Sequence, residues 1–402
     1  MNIIYVSSGC SEEKFEKLRE MGITKKLPQA QKYHQLMVEG LACSNKGTID
    51  VISAIPTNRS WSKKIFFKGE QEEKGTITYF YIPFINIPIF SQISKYIAAK
   101  CQIKNLCKSK ENVAIVCDVL NQSIADAARS VGRLFNVPVV GIVTDVPGHT
   151  SGARRKNYSF LKRYISKFAE NRAKKKLCKY NAYLLLTEAM NEVVNPKHSP
   201  YIVIEGQSDY KMFDISAVEK SIPKVVMYAG GIHKEFGIER MVNAFIDAGC
   251  IGWELHIYGD GNYQSDLIKI AETHKNIRYF GVVSNNVVKN AQLRASVLVN
   301  PRLTDADYVK YSFPSKTMEC LASGTPLLTT KLPGMPKEYY PYVYFFEDES
   351  VEGMKNAFKR VLNISDTELL HKGKNARLFV LNNKNNKIQA GKLIDFLNTL
   401  VK

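Results

Sequence analysis

Residues 224–249 read KVVMYAGGIHKEFGIERMVNAFIDAG. An apolar run of strand type enters paired glycines, and a helical segment follows, which is how an α/β unit begins. The pattern continues outward. WELHIYGDG (253–261), NIRYFG (276–281), SVLVNP (296–301) and PLLTT (326–330) read as strands, with helices between them. The N-terminal half carries the same alternation. NIIYVSS, 49–54, 76–82, 113–119, 137–144 and 182–186 are short apolar runs, and residues 28–41 (PQAQKYHQLMVEGL) have helical periodicity. Short, nearly continuous apolar runs between helices predict parallel sheets covered on both faces. The prediction is an α/β protein with two Rossmann-like domains: 1–205, 206–385, and a C-terminal packing helix at 386–402. In such folds the default ligand site is the cleft between the domains.

Bulk properties agree with a globular chain. The sequence has 402 residues, of which 45% are hydrophobic, and no window has the length of a transmembrane helix. The N-terminus lacks the design of a signal peptide. Eight cysteines are scattered without a CxxC pair, so neither a zinc site nor a disulfide framework is expected. A cytoplasmic location follows as the expectation. The net charge is +18, with 31 Lys+Arg against 17 Asp+Glu in residues 1–205. The basic excess therefore sits in the N-terminal half and points to an anionic partner.

The segment 311–328, YSFPSKTMECLASGTPLL, follows a long loop after the strand SVLVNP. Long loops at the carboxyl ends of parallel strands build sites. Pro314 suits the first helical position, and Ser312 or Ser315 suits the cap. The free N–H groups of that turn suit a phosphate. Lys316 would add a point charge to a diphosphate, and Glu319, on the same face, would take the two hydroxyls of a ribose. An exposed i, i+3 ion pair is the alternative. Gly230 and Gly231, with Lys234 nearby, form a second phosphate candidate, although the loop is not GxGxxG. The glycines of YGDG (258–261) read as a plain turn.

The ordered set YAGG, HIYGDG, RYFG and ECLASGTPLL resembles the family 4 (group 1) glycosyltransferases of the GT-B fold, over roughly residues 203–345. VIEGQSDYKMF (203–213) resembles the interdomain segment of that family, and PQAQKYHQLMVEGL its acceptor-side helix. Three departures stand out. Tyr311 occupies the place of the first of two family glutamates, with Glu319 at the second. Gly231 and Phe236 occupy the usual Arg and Lys places. Thr144 and Asp145 replace a histidine, with His149 four residues on from Asp145.

The resemblance implies sugar transfer from a nucleotide-diphosphate sugar, with UDP preferred and GDP next. It implies a retaining mechanism, no metal and no cofactor. Asp145 and Asp118, at N-domain strand ends, are the candidate proton acceptors or orienting groups, with turn capping as their alternative. Ser8, Gly9 and His34 are the acceptor-side candidates. Residues 154–176 hold ten Lys/Arg and one Glu, with Phe160, Leu161, Tyr164, Ile165 and Phe168 on one helical face. They read as an interfacial helix for an anionic membrane surface, or as an ordinary packing helix. The leading expectation is a peripheral enzyme of cell-surface polysaccharide synthesis that uses a lipid-linked saccharide or glycan acceptor. A sugar-nucleotide epimerase of the same fold and a non-catalytic nucleotide-binding scaffold are the alternatives. Nucleic acid is not an expected partner, because no binding module accompanies the charge.

Overall fold

The computed structural model describes residues 1–24, 29–146, 171–172, 174–214 and 219–401. The proposed interfacial segment 154–176, apart from 171–172 and 174–176, lies outside the described residues, as does His149. Two compact units form: residues 1–207 with 385–402, and residues 208–384.

The first unit is built on an eight-stranded sheet. In spatial order its strands are Tyr201–Val203, Ala182–Leu185, Val139–Val143, Val113–Asp118, Asn2–Ser7, Ile49–Ser53, Ile77–Tyr81 and Glu70–Lys74. All pairs are parallel except the last. The central runs VAIVCD, VVGIV and IDVIS are buried throughout, as strands covered on both faces must be. The edge strand EQEEK was not expected from its sequence. Its charges suit an exposed edge and oppose further strand pairing.

The C-terminal helix Asn386–Leu400 joins this unit. Asn385 caps it through bonds from Lys387 N and Ile388 N. It lies against the helix Gln29–Ser44 so closely that a Cβ at Gly40 would stand 2.1 Å from the Asn386 carbonyl oxygen. Asn386 Nδ2 donates to Leu36 O at 3.0 Å, and Ala390, Leu393 and Leu397 enter the core.

The second unit carries a six-stranded, all-parallel sheet: Ile277–Tyr279, Trp253–Tyr258, Lys224–Ala229, Val297–Asn300, Leu327–Thr330 and Tyr344–Phe346. Numbered within the unit, the order is 3-2-1-4-5-6, the doubly wound arrangement. The order reverses between Lys224–Ala229 and Val297–Asn300, so this is the switch point, where the flanking loops leave in opposite directions and open a crevice. In the first unit the same reversal falls between Asn2–Ser7 and Val113–Asp118. Among the described residues, no helix is long and apolar enough to cross a membrane.

Candidate functional site

The crevice of the second unit is built by two glycine loops and one helix. Strand Lys224–Ala229 ends in Gly230-Gly231, and strand Trp253–Tyr258 ends in Gly259-Asp260-Gly261. The loops run side by side: Gly230 N donates to Tyr258 O at 2.9 Å and Ile232 N to Asp260 O at 2.7 Å. A Cβ at Gly259 would lie 1.8 Å from Gly230 O, and one at Gly261 would lie 2.0 Å from Ile232 O. The glycines of YGDG therefore do more than turn the chain. They let the second loop brace the first. Gly230 spends its N–H on that brace, and Gly231 accepts at its carbonyl from the Tyr228 hydroxyl at 2.9 Å. A Cβ at Gly230 would meet the Tyr228 hydroxyl at 2.4 Å and Lys316 Nζ at 2.9 Å.

Lys316 reaches this loop from the first turn of the helix Ser315–Ser323, and its ammonium donates to the Ala229 carbonyl. Burial holds its pKa below the ordinary lysine value, opposed by Cys320 and Glu319. The lysine is thus drawn to the strand end. Glu319, half-buried, follows on the same helix. The capping expectation is corrected. Pro314 is itself the N-cap and no side chain caps the turn. The Ser312 hydroxyl instead donates to Val309 O at 3.3 Å, closing the preceding 3₁₀ turn Val309–Tyr311. The early N–H groups of the helix are left without a side-chain cap, which favours an anion there. Helix and strand ends enclose a small cavity lined by Tyr228, Ala229, Asn300, Lys316 and Thr317. Asn300 Nδ2 and Thr317 Oγ1 are buried there without a hydrogen-bond partner.

Lys234 stands further out. It is exposed and pairs with Asp266 at 3.0 Å and Glu239 at 3.3 Å, so its charge is already compensated.

Sequence reading missed Arg302. This residue lies two positions past the end of strand Val297–Asn300. Its guanidinium is 5.5 Å from the Phe236 ring centroid and 5.6 Å from that of Tyr308, and its Nε is buried without a partner. Burial raises the pKa of Tyr228, and Arg302 opposes that shift. The position was legible in principle, since a cation just beyond a switch-point strand is a site signal. The metal-free expectation took the sequence to hold no Asp-x-Asp motif; that is corrected, because Asp305 and Asp307 in the following loop form one. Both are exposed. Among the described residues, no group of three or more His, Cys, Asp or Glu side chains is placed to hold a metal ion.

The switch point of the first unit gathers Ser8, His34 and Asp118, with Gly9 beside them. His34 is buried on the helix Gln29–Ser44. Its Nδ1 pairs with the Tyr5 hydroxyl at 2.7 Å, and its Nε2 lies 3.4 Å from Asp118 Oδ2. Asp118 accepts from Leu120 N at 3.0 Å and Asn121 Nδ2 at 2.6 Å. Asn121 Nδ2 and Gln31 Nε2 reach Ser8 Oγ at 3.3 and 3.0 Å. Burial pushes the Asp118 pKa up, but the neighbouring His34 imidazole, with the Leu120 and Asn121 donors, holds it below the ordinary value. A carboxylate so satisfied is a weak base. Asp118 orders the loop, and its partners occupy the lone pairs a base would use. Gly9 lies against this cluster, with a built Cβ 3.0 Å from Ser7 Oγ and 3.5 Å from His34 Cβ. Asp145 is half-buried two residues past strand Val139–Val143.

Residues 223–363 match the family model described as Glycosyl transferases group 1. This unit is a group 1 glycosyltransferase domain. No curated protein matches the sequence. Among solved structures, sucrose-phosphate synthase from Thermosynechococcus elongatus is similar over 100% of this chain and 99% of its own, at 15% identity and TM-score 0.66. Trehalose-6-phosphate synthase from E. coli, bound with UDP-2-fluoro glucose, is similar over 98% of each chain, at 10% identity and TM-score 0.65. Anabaena HepE in complex with UDP is similar over 99% of this chain and 100% of its own, at 11% identity and TM-score 0.57. The fold is GT-B, and residues 223–363 carry a group 1 glycosyltransferase domain.

Proposed function

We propose that the protein transfers a hexosyl group from a nucleoside diphosphate sugar, a UDP-sugar before a GDP-sugar, to a lipid-linked saccharide or glycan acceptor of the cell surface. The observation that carries the donor half is the Lys316 ammonium. It is held at the end of strand Lys224–Ala229 beside Gly230, in the first turn of an uncapped helix. Cleavage of the sugar–phosphate bond leaves negative charge on the diphosphate. Lys316, the open helix N–H groups and Gly231 of the loop would stabilise that charge. Arg302, fixed between two rings, would supply a second cation where the family places have none. Glu319 would accept from the ribose hydroxyls. UDP and UDP-2-fluoro glucose in two similar structures support a uridine donor. Retention of configuration, independence of metal, and Asp145 as the group that orients or deprotonates the acceptor hydroxyl belong to the same proposal. So does a place on the cytoplasmic face of the membrane, to which the basic segment 154–176 would contribute.

The test is a thermal-shift series with UDP, GDP, CDP, ADP and the matching nucleotide sugars, with and without EDTA, on wild type and Glu319→Ala. One diphosphate should stabilise wild type but not the variant, with EDTA making no difference. A response that needs metal overturns the metal-free part and turns attention to Asp305 and Asp307. No response to any nucleotide overturns the donor site. Turnover of the sugar nucleotide to another sugar nucleotide without acceptor would show an epimerase instead.

A further inference from the structure

The helix Phe90–Ser109 of the first unit is turned inside out at its start. Its inner face is built from Ala99, Ile103 and Leu106. Its outer face follows the spacing 90, 93, 97, 101, 104, 108. That row reads Phe90, Ile93, Ile97, Cys101, Lys104 and Lys108, and every member is exposed. Phe90 is 59% exposed, Ile97 60%, and Ile89 at the helix entry 75%. Ile89 holds a φ of +69°, a conformation costly for a β-branched side chain. The chain thus presents an isoleucine at a strained corner with most of its surface in solvent. A contiguous outward row of large apolar residues marks a surface that meets something.

The charge pattern selects what it meets. Residues 90–109 contain four lysines and no acidic residue, within an N-terminal half that carries the basic excess of the chain. Lys95 and Lys100 lie over the rings of Phe84 and Tyr96, at 4.4 and 5.6 Å from the ring centroids. Lys95 sits on the inward side of the helix over Phe84, whereas Lys100 stands beside the apolar row and Lys104 and Lys108 continue it. A second copy of this chain would bring like charge against like charge. An anionic bilayer would accept the apolar row among its acyl chains and the lysines among its headgroups.

We infer that the row Ile89, Phe90, Ile93 and Ile97, continued by Lys104 and Lys108, is a membrane-docking surface for an anionic bilayer. It deepens the lipid-linked-acceptor reading and rests on it for purpose. The observations belong to the first unit, whereas the proposed donor crevice belongs to the second.

The experiment is co-sedimentation of the full chain with vesicles of phosphatidylcholine alone or with 30% phosphatidylglycerol, for wild type, Ile93→Ser/Ile97→Ser and Lys104→Glu/Lys108→Glu. Wild type should bind the anionic vesicles. Each double variant should lose about tenfold or more of that binding, and the lysine effect should vanish in high salt. Both sites are exposed, so the variants should melt as wild type does. Their unchanged nucleotide thermal shift would separate failure of this surface from failure of the donor reading. Wild type that ignores anionic vesicles overturns the inference, and so does an Ile93→Ser/Ile97→Ser variant that binds like wild type. A concentration-dependent dimer in wild type that the isoleucine variant abolishes assigns the row to a second copy and overturns it as well.

Discussion

The brace between the two glycine loops makes Gly259→Ala the sharpest test of the donor crevice. Gly259 has a φ of +129°, in a region of backbone space restricted essentially to glycine. The added methyl would lie 1.8 Å from Gly230 O, whereas real Cβ contacts stay beyond 3.0 Å. The loops must part by more than about 1 Å. Parting costs the bond from Gly230 N to Tyr258 O, and it strains the bond from the Tyr279 hydroxyl to Gly259 O at 2.8 Å. Backbone strain contributes about 1–3 kcal/mol and the lost hydrogen bond about 1 kcal/mol. The expected loss is therefore about 2–4 kcal/mol of stability in this unit. Nucleotide binding should fall as well, because Gly230 shifts against Lys316. Gly252→Ala is the internal control: its φ of +79° is also left-handed, but nothing lies within 4 Å of its Cβ, so it should cost only about 1–2 kcal/mol. The assay is guanidinium unfolding followed by tryptophan fluorescence in a Trp61→Phe background, which leaves Trp253 reporting from this sheet. A Gly259→Ala protein no less stable than Gly252→Ala, with normal nucleotide binding, would refute the brace.

Three further outcomes follow from the same geometry. Lys316→Met should weaken UDP about 10–100-fold by calorimetry, as expected for one charge-assisted contact, and leave the weak binding of uridine unchanged. Asp118→Asn should cost about 1–3 kcal/mol, because an amide nitrogen replaces one of the two buried carboxylate oxygens that accept from Leu120 N and Asn121 Nδ2. The Asp118 pKa is depressed in the fold, so its contribution is present above the unfolded value and is lost as pH falls through the folded one. Wild type and variant should therefore converge in acid denaturation. Lys220, which donates to Leu293 O and the Thr325 hydroxyl at 2.9 Å each, is pushed down to about 8 by burial. Between about pH 8 and the ordinary lysine value the unfolded chain binds the extra proton, so stability should rise with pH there. Comparison of urea midpoints should show that Lys220→Met removes the slope.

The sequence was most readable where burial is two-sided. VAIVCD, VVGIV and KVVMYA are continuous apolar runs because both faces of each sheet are covered, and such runs admit few other assignments. The glycine loop and the Lys316 helix could be read for the same reason: each follows a strand that is itself unmistakable. EQEEK could not be read, because an edge strand in water follows solvent chemistry and carries no apolar period. The His34–Asp118 cluster was divided in the sequence into a helical histidine and a strand-end aspartate 84 residues apart. Packing of the helix Gln29–Ser44 at the end of strand Val113–Asp118 brings them together, with His34 Nε2 3.4 Å from Asp118 Oδ2. The outward row of the helix Phe90–Ser109 has the same period as an inward one, so periodicity alone cannot say which face is wet.

On the proposed donor reading, Arg302 supplies a cation that Gly231 and Phe236 do not. A cation carried on the glycine loop must be held by that loop, which here has Gly231 and Phe236 in the usual Arg and Lys places. A cation carried past the neighbouring strand end can be held by rings instead, and Phe236 is one of the two that flank Arg302. The planar guanidinium uses its faces for stacking and keeps its edge for oxygens, which a lysine cannot do. Arg302→Lys should therefore weaken UDP binding nearly as much as Arg302→Gln, about tenfold or more in Kd by calorimetry. If lysine restores wild-type affinity while glutamine does not, charge alone is required and the stacked geometry is incidental. If neither substitution changes affinity, the diphosphate rests on Lys316 and the helix turn, and Arg302 serves only to pack Phe236 against Tyr308.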